Sequence, residues 1–138
     1  MEPISFTVFG EPTAQGRPKF ARRGNFVQTY DPKKSVDYKS RVLAAALEVR
    51  PEKPLDIPLY VTIVAFRSIP KAMSKKKVTQ AMRGELRPTT KPDIDNIVKG
   101  VKDALKGVIW RDDSLVVSLF AAKYYDEVPR VEVTVTKA

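Results

Sequence analysis

The sequence contains no cysteine and no histidine among its 138 residues. The absence of cysteine excludes disulfides, thiolate metal sites, iron–sulfur clusters and thiol nucleophiles. The absence of histidine excludes imidazole ligands and every catalytic arrangement in which histidine is the base. Acid–base groups must therefore come from Asp, Glu, Lys or Tyr, and a bound metal must take oxygen ligands. Such ligands favour hard cations, with Mg²⁺ or Mn²⁺ as the candidates.

Long hydrophobic runs are also missing. No stretch approaches the ~20 apolar residues that a membrane span requires. The alternating segment 4–9 lacks the charged leader and apolar block of a signal peptide. We therefore expect a soluble, cytoplasmic protein without a membrane partner. A chain of 138 residues is typical of a single domain, which we expect to span 1–138.

Acidic residues are few relative to basic ones: 16 Asp and Glu against 25 Lys and Arg give a net charge of +9. Two segments carry the excess. Residues 17–41 contain eight basic and two acidic residues, which gives a net charge of +6. Residues 67–91 contain eight basic residues and one acidic residue, which gives +7. Such segments form either solvated surface or a phosphate-binding surface, and their concentration favours a nucleic-acid partner. The residues predicted to contact DNA are Arg17, Lys19, Arg22, Arg23, Lys75, Lys76, Lys77, Arg83, Arg87 and Lys91.

Apolar spacing predicts an α+β fold, a mixed α/β sandwich in which two main helices pack on a small sheet. The predicted strands are 4–9, a central strand at 59–66 covered on both faces, and an antiparallel C-terminal hairpin formed by 116–125 and 131–136. The predicted helices are 33–50, a short one after Ser74, and one from about Asp95 to Val108. Residues 11–32 are rich in Pro and Gly and are predicted to form a long loop.

An acidic pair, Asp93 and Asp95, stands at the predicted start of the last helix. Side chains at positions i and i+2 share a face when the backbone is extended, and Pro92 favours an extended approach. Neighbouring carboxylates repel one another unless a cation compensates them, so the pair predicts a divalent metal site. Such a metal would activate water for phosphodiester hydrolysis. Lys99, one turn beyond Asp95, is placed to reach a carboxylate or a phosphate.

Structural roles compete with these functional ones. An aspartate at the start of a helix is commonly its N-cap, which would explain Asp93 or Asp95 alone. Lys99 is equally placed for a surface ion pair with Asp95 or Asp103. The pair Asp112-Asp113 suits a polar turn before a strand, and Trp110 suits a core position instead of a base-stacking one.

The chain resembles the RusA family of Holliday junction resolvases in the strings Asp93-Ile94-Asp95-Asn96-Ile97-Val98-Lys99, Asp103-Ala104-Leu105 and Trp110-Arg111-Asp112-Asp113-Ser114. The close match spans residues 91–117. By this resemblance, Asp93, Asp95 and Asp113 are metal-binding, catalytic carboxylates, with Asp112 a weaker candidate. Lys99 takes the position of the family's catalytic lysine.

The resemblance implies a single RusA-like endonuclease domain that is homodimeric, depends on Mg²⁺ and nicks four-way DNA junctions symmetrically. It also implies a prophage origin. Symmetry favours the dimer independently, because a junction has two equivalent strands to cut and one acidic cluster supplies one cut. Two further functions stay open: a non-cleaving protein that binds junctions or single strands, and a nuclease for flaps and forks.

Overall fold

The computed structural model describes residues 1–13, 19–23, 26–30 and 33–138; for 19–23, 26–30, Lys34 and Ser35 it describes the backbone alone. The α+β fold predicted from the spacing is confirmed. The described elements, in chain order, are β1 (Ile4–Phe9), β2 (Lys19–Arg23), β3 (Phe26–Tyr30), α1 (Lys33–Leu47), β4 (Leu59–Ser68), α2 (Lys75–Met82), α3 (Ile94–Leu105), β5 (Val116–Asp126) and β6 (Arg130–Lys137).

Strand β4 lies at the centre of a mixed four-stranded sheet with the order β1-β6-β4-β5. It pairs in parallel with β5 and antiparallel with β6. The two C-terminal strands are therefore antiparallel and joined by a short turn, as predicted for a hairpin, but β4 lies between them. Each strand pairs with β4 instead of with the other. This insertion satisfies the backbone hydrogen-bonding groups along both edges of β4.

One face of this sheet forms the hydrophobic core together with α1 and α3. Side chains alternate along a strand, so every second residue of β1, β4 and β6 points to this face. Each fully buried Val or Ile stabilises the fold by about 1.5–3 kcal/mol. The buried residues are Phe6, Val8, Val61, Ile63, Ala65, Val131, Val133 and Val135 on the sheet, with Val42 and Ala46 from α1 and Ile97, Val101 and Leu105 from α3.

The opposite face of the sheet is more open. Tyr60 is exposed and Thr62 is half-buried. The prediction for β4 is thus confirmed in its central position and wrong in expecting cover on both faces, because α1 and α3 pack on the same side. The predicted loop 11–32 is also corrected: β2 and β3 pair antiparallel within it as a separate two-stranded sheet.

The observed bounds of the helices agree closely with those predicted from the apolar spacing. α1 ends at Leu47, three residues before its predicted end, and α2 begins after Ser74, whose hydroxyl accepts from the Lys77 N–H at 3.3 Å. α3 begins at Ile94, with Asp93 in the N-cap position. Within the described ranges, none of the helices combines the length and hydrophobicity needed to span a bilayer.

Candidate active site

The start of α3 presents two of the predicted carboxylates. Asp93 holds the N-cap position with extended angles (φ −68°, ψ 145°), yet its side chain makes no capping hydrogen bond. Asp95 follows in the first turn, and both residues are exposed. Among the described residues, neither carboxylate forms an ion pair. The capping explanation therefore does not account for the Asp93 side chain.

The segment that leads into α3 is held by two cations from the sheet. The Lys123 ammonium on β5 donates to the carbonyl oxygens of Thr90 (2.8 Å) and Pro92 (3.0 Å). From β4, the Arg67 guanidinium donates to the Thr90 hydroxyl at 3.1 Å and to the carbonyl oxygen of Lys91. Charge-assisted hydrogen bonds of this kind are stronger than neutral ones. They fix the backbone immediately before Asp93.

Arg67 and Lys123 were not among the predicted site residues. Arg67 belongs to the basic segment 67–91, but its position near the end of a strand gave no reason to select it. Lys123 follows the uncharged stretch 116–122. A single cation in an otherwise apolar strand is a pattern that could have indicated a specific partner.

Predicted DNA-contacting residues gather at the same end of α3. The Arg87 guanidinium stacks over the Tyr124 ring at 3.7 Å, and its Nε donates to the Lys123 carbonyl at 2.5 Å. Lys91 is exposed and precedes Asp93 by two residues in the chain. Exposed cations therefore lie on the segment that leads into Asp93 and Asp95. This arrangement offers phosphate-binding groups next to carboxylates.

The other residues predicted to contact DNA belong to α2, to β2 or to the part of the chain that is not described. Exposed cations occupy the first turn and the C-cap of α2, namely Lys75, Lys76, Lys77 and Arg83. Lys19, Arg22 and Arg23 lie on β2, where the backbone alone is described, and Arg17 lies outside the described residues.

Lys99 is 61% exposed and its ammonium pairs with Asp103 at 3.1 Å. Of the two surface pairings considered from the sequence, the structure thus shows the one with Asp103. An exposed pair at i and i+4 is worth only about 0.3–0.5 kcal/mol, so it holds the ammonium loosely. Lys99 is free to exchange this partner for a phosphate, and its catalytic role stays a prediction.

The later aspartates are engaged at the opposite end of α3. The Trp110 indole N–H donates to Asp113 Oδ1 at 2.8 Å, and Trp110 is fully buried, so its predicted core position is confirmed. Asp112 accepts from the Ser114 backbone N–H at 2.9 Å and lies 3.5 Å from the Lys106 ammonium. Hydrogen bonds from Ser114 and the charge of Lys106 lower the pKa of Asp112 to about 2.

The length of α3 separates the two acidic groups. Asp93 precedes the first residue of α3. Asp113, in contrast, accepts from Trp110, whose backbone pairs with that of Lys106, the residue that follows the last residue of α3. Twelve helical residues span about 18 Å at 1.5 Å per residue. Consistently, the described part of the chain holds no group of three or more Asp or Glu residues that could bind a metal ion. The predicted convergence of Asp93, Asp95 and Asp113 is therefore not found within one chain.

Asp93 and Asp95 nevertheless carry the oxygen donors that Mg²⁺ prefers. The ion commonly takes one or two carboxylates and completes its shell with water and substrate phosphates. Two exposed aspartates at the start of α3, preceded by the exposed cations Arg87 and Lys91, offer such carboxylates. Asp113 does not join them in a single chain, and the metal-binding role of each aspartate stays a prediction.

Comparison with known sequences identifies the class of protein. Residues 10–136 match the family described as endodeoxyribonuclease RusA, and the chain belongs to this family. An uncharacterized protein of Bacillus subtilis, YqaN, is 50% identical over 137 residues, covering 98% of this chain and 96% of YqaN. A crossover junction endodeoxyribonuclease, rusA, of the Lactococcus phage r1t is 27% identical over 137 residues, with 97% and 96% of the two chains covered.

Proposed function

We propose that this protein is a Mg²⁺-dependent endodeoxyribonuclease that resolves four-way DNA junctions as a homodimer by paired symmetric nicks. The observation that carries the proposal is the RusA family match over residues 10–136, which includes the exposed Asp93 and Asp95. A phage relative bearing the name of a crossover junction endodeoxyribonuclease supports the same substrate. The phage source of this relative agrees with the prophage origin that the family resemblance implies.

Each residue near the start of α3 has a distinct proposed task. Arg87 and Lys91 attract and orient the phosphate backbone, because cations that neutralise phosphates supply most of the affinity for DNA. Asp93 and Asp95 hold Mg²⁺, which when bound would lower the pKa of water and stabilise charge on the scissile phosphate. Lys99 leaves Asp103 to stabilise the negative charge that develops during cleavage.

The test uses a synthetic four-way junction incubated with the wild type and with Asp95→Asn, in Mg²⁺ or EDTA. Asparagine keeps the size of the side chain and removes its charge. We expect Asp95→Asn to lower the cleavage rate by about 10²-fold or more, with little change in thermal unfolding. Asp37→Asn, an exposed change of the same kind on α1, is the control and should cleave normally.

Equal cleavage rates for Asp95→Asn and the wild type would refute the proposed active site. Junction binding without Mg²⁺-dependent products would favour the non-cleaving DNA-binding function instead. Matched flap and fork substrates complete the assay. A resolvase makes paired nicks at equivalent positions in the junction, whereas faster cleavage of flaps or forks would identify a nuclease for those structures.

A further inference from the structure

Four side chains form a row of cation and aromatic groups on the open face of the sheet. The Phe66 and Tyr124 rings stack with their centroids 5.9 Å apart and an interplanar angle of 27°. The Arg130 guanidinium lies over Phe66, 3.9 Å from the ring centroid, and the Arg87 guanidinium lies over Tyr124 at 3.7 Å. Such contacts are favourable because the face of an aromatic ring is electrically negative.

The register of the sheet builds three members of this row. Phe66 on β4 is the partner of Tyr124 on β5 and of Arg130 on β6. Partners on neighbouring strands project from the same face of a sheet, so the three side chains meet. Arg130 is held further by its ion pair with Asp126 at 2.5 Å. The sheet therefore fixes the Tyr124 ring on which the fourth member of the row rests.

Arg87, the fourth member, follows α2 and is oriented at two points. Its guanidinium lies over the Tyr124 ring, and its Nε donates to the Lys123 carbonyl at 2.5 Å. Arg87 is exposed and forms no ion pair with any described residue. Its two terminal amino groups are thus available to an anion from outside the chain. A planar guanidinium binds a phosphate through two parallel hydrogen bonds, for which a fixed orientation is an advantage.

Lys123 connects Arg87 to the start of α3. The Lys123 carbonyl accepts from Arg87. The Lys123 ammonium donates to the carbonyl oxygens of Thr90 and Pro92, which precede Asp93. A single strand residue therefore holds both the guanidinium and the backbone that leads to the acidic pair. A phosphate bound by Arg87 would be kept in a defined position relative to Asp93.

We propose that Arg87 is a fixed binding site for one DNA phosphate beside the cut, and that Tyr124 is the residue that positions it. This inference rests on the proposed nuclease function for its ligand, a phosphate of branched DNA. It goes beyond the attraction of a basic surface for DNA, because a lysine would supply the same charge. The stacking contact and the Nε hydrogen bond require a guanidinium and a ring.

The substitution Arg87→Lys tests the orientation of the guanidinium because it keeps the charge. Equilibrium binding to a synthetic four-way junction is measured in EDTA, so that metal-dependent cleavage does not interfere. We expect the affinity to fall by about tenfold. Arg50→Lys, at an exposed position beyond α1, is the matched control and should bind like the wild type. Equal affinities for Arg87→Lys and the wild type would overturn the proposal.

Two substitutions test whether Tyr124 acts through Arg87. Tyr124→Phe keeps the ring and should bind like the wild type, whereas Tyr124→Leu should lower the affinity by about 3- to 10-fold. In the Arg87→Lys protein, Tyr124→Leu should cause no further loss. Tyr60→Leu, at an exposed ring on β4, controls for removal of a ring. Additive losses, or reduced thermal stability of Tyr124→Leu with unchanged affinity, would overturn the positioning role.

The bound phosphate is located with junctions that carry one uncharged methylphosphonate at successive positions near the junction centre. One position should weaken binding of the wild type by about tenfold and that of Arg87→Lys by less. Equal effects on the two proteins at every position would overturn the phosphate site. A wild type that binds junctions in EDTA but makes no nick in Mg²⁺ would refute the nuclease function, and the binding comparisons would still decide the role of Arg87.

Discussion

The two ends of α3 use their carboxylates in different ways. At the C-terminal end, Asp113 accepts from the buried Trp110 indole and Asp112 accepts from Ser114 beside Lys106. At the N-terminal end, Asp93 and Asp95 are exposed. In the described chain, the nearby cations Arg67 and Lys123 bind backbone carbonyl oxygens and the Thr90 hydroxyl instead of these carboxylates.

This difference separates a structural role from a ligand-binding one. A carboxylate that satisfies a buried donor stabilises the fold, since leaving that donor unpaired costs about 1–3 kcal/mol. At the N-terminal end, Arg67 and Lys123 stabilise the backbone before Asp93 and leave the carboxylates of Asp93 and Asp95 available to a ligand. The comparison predicts that loss of the buried Trp110 donor reduces stability most, whereas substitutions at the N-terminal end reduce activity more than stability.

The largest loss of stability is expected for Trp110→Phe at the C-terminal end. The change leaves a cavity in a fully buried position and removes the N–H that binds Asp113. We expect the free energy of unfolding to fall by about 2–4 kcal/mol, measured by urea denaturation. Phe9→Leu, an exposed aromatic change on β1, should stay within about 0.5 kcal/mol of the wild type. Similar losses for the two variants would contradict the structural role of Trp110.

A smaller loss is expected for Lys123→Met at the N-terminal end. Methionine keeps the apolar stem but removes both hydrogen bonds to Thr90 and Pro92. The free energy of unfolding should fall by about 1–2 kcal/mol, and junction cleavage should fall further because the approach to Asp93 loosens. Lys137→Met, at the exposed end of β6, is the matched control. Unchanged cleavage by Lys123→Met would show that this anchoring does not position the acidic pair.

Local patterns in the sequence predict most of the helices and strands correctly. The apolar spacing located α3, and Asp93 and Asp95 were correctly placed at its start. The core position of Trp110 was also correct. These features depend on residues close together in the chain, for which period and capping preferences are informative.

Features that depend on pairing between distant segments could not be predicted in the same way. The alternation in 116–125 and 131–136 indicates two strands, but it does not reveal that β4 inserts between them. The contact of Lys123 with Pro92 likewise exists only after strand and helix pack. The separation of Asp113 from Asp95, by contrast, follows from the length of α3 itself and was therefore open to prediction from the apolar spacing.

A still smaller effect on stability is expected for Lys99→Ala on the first half of α3. Its exposed pair with Asp103 contributes only about 0.3–0.5 kcal/mol. We expect the cleavage rate to fall by about 10²-fold while junction affinity changes little, measured by single-turnover cleavage and by equilibrium binding. Lys102→Ala on the same helix controls for loss of one charge. A loss of affinity as large as the loss of rate would assign Lys99 to DNA binding instead.

The smallest effect concerns Asp112 and appears only in acid. Its pKa is about 2 in the folded chain, against an ordinary value of 3.8, because Ser114 and Lys106 favour the ionised form. A lowered pKa stabilises the folded state above the ordinary value, and this contribution disappears as the pH falls towards 2. Asp112→Asn cannot ionise, so its stability deficit relative to the wild type should shrink between about pH 5 and pH 2. Thermal unfolding across this range measures the deficit, with the exposed Glu48→Gln as a control for net charge. A deficit that stays constant with pH would show that the ionised Asp112 carboxylate does not stabilise the C-terminal end of α3.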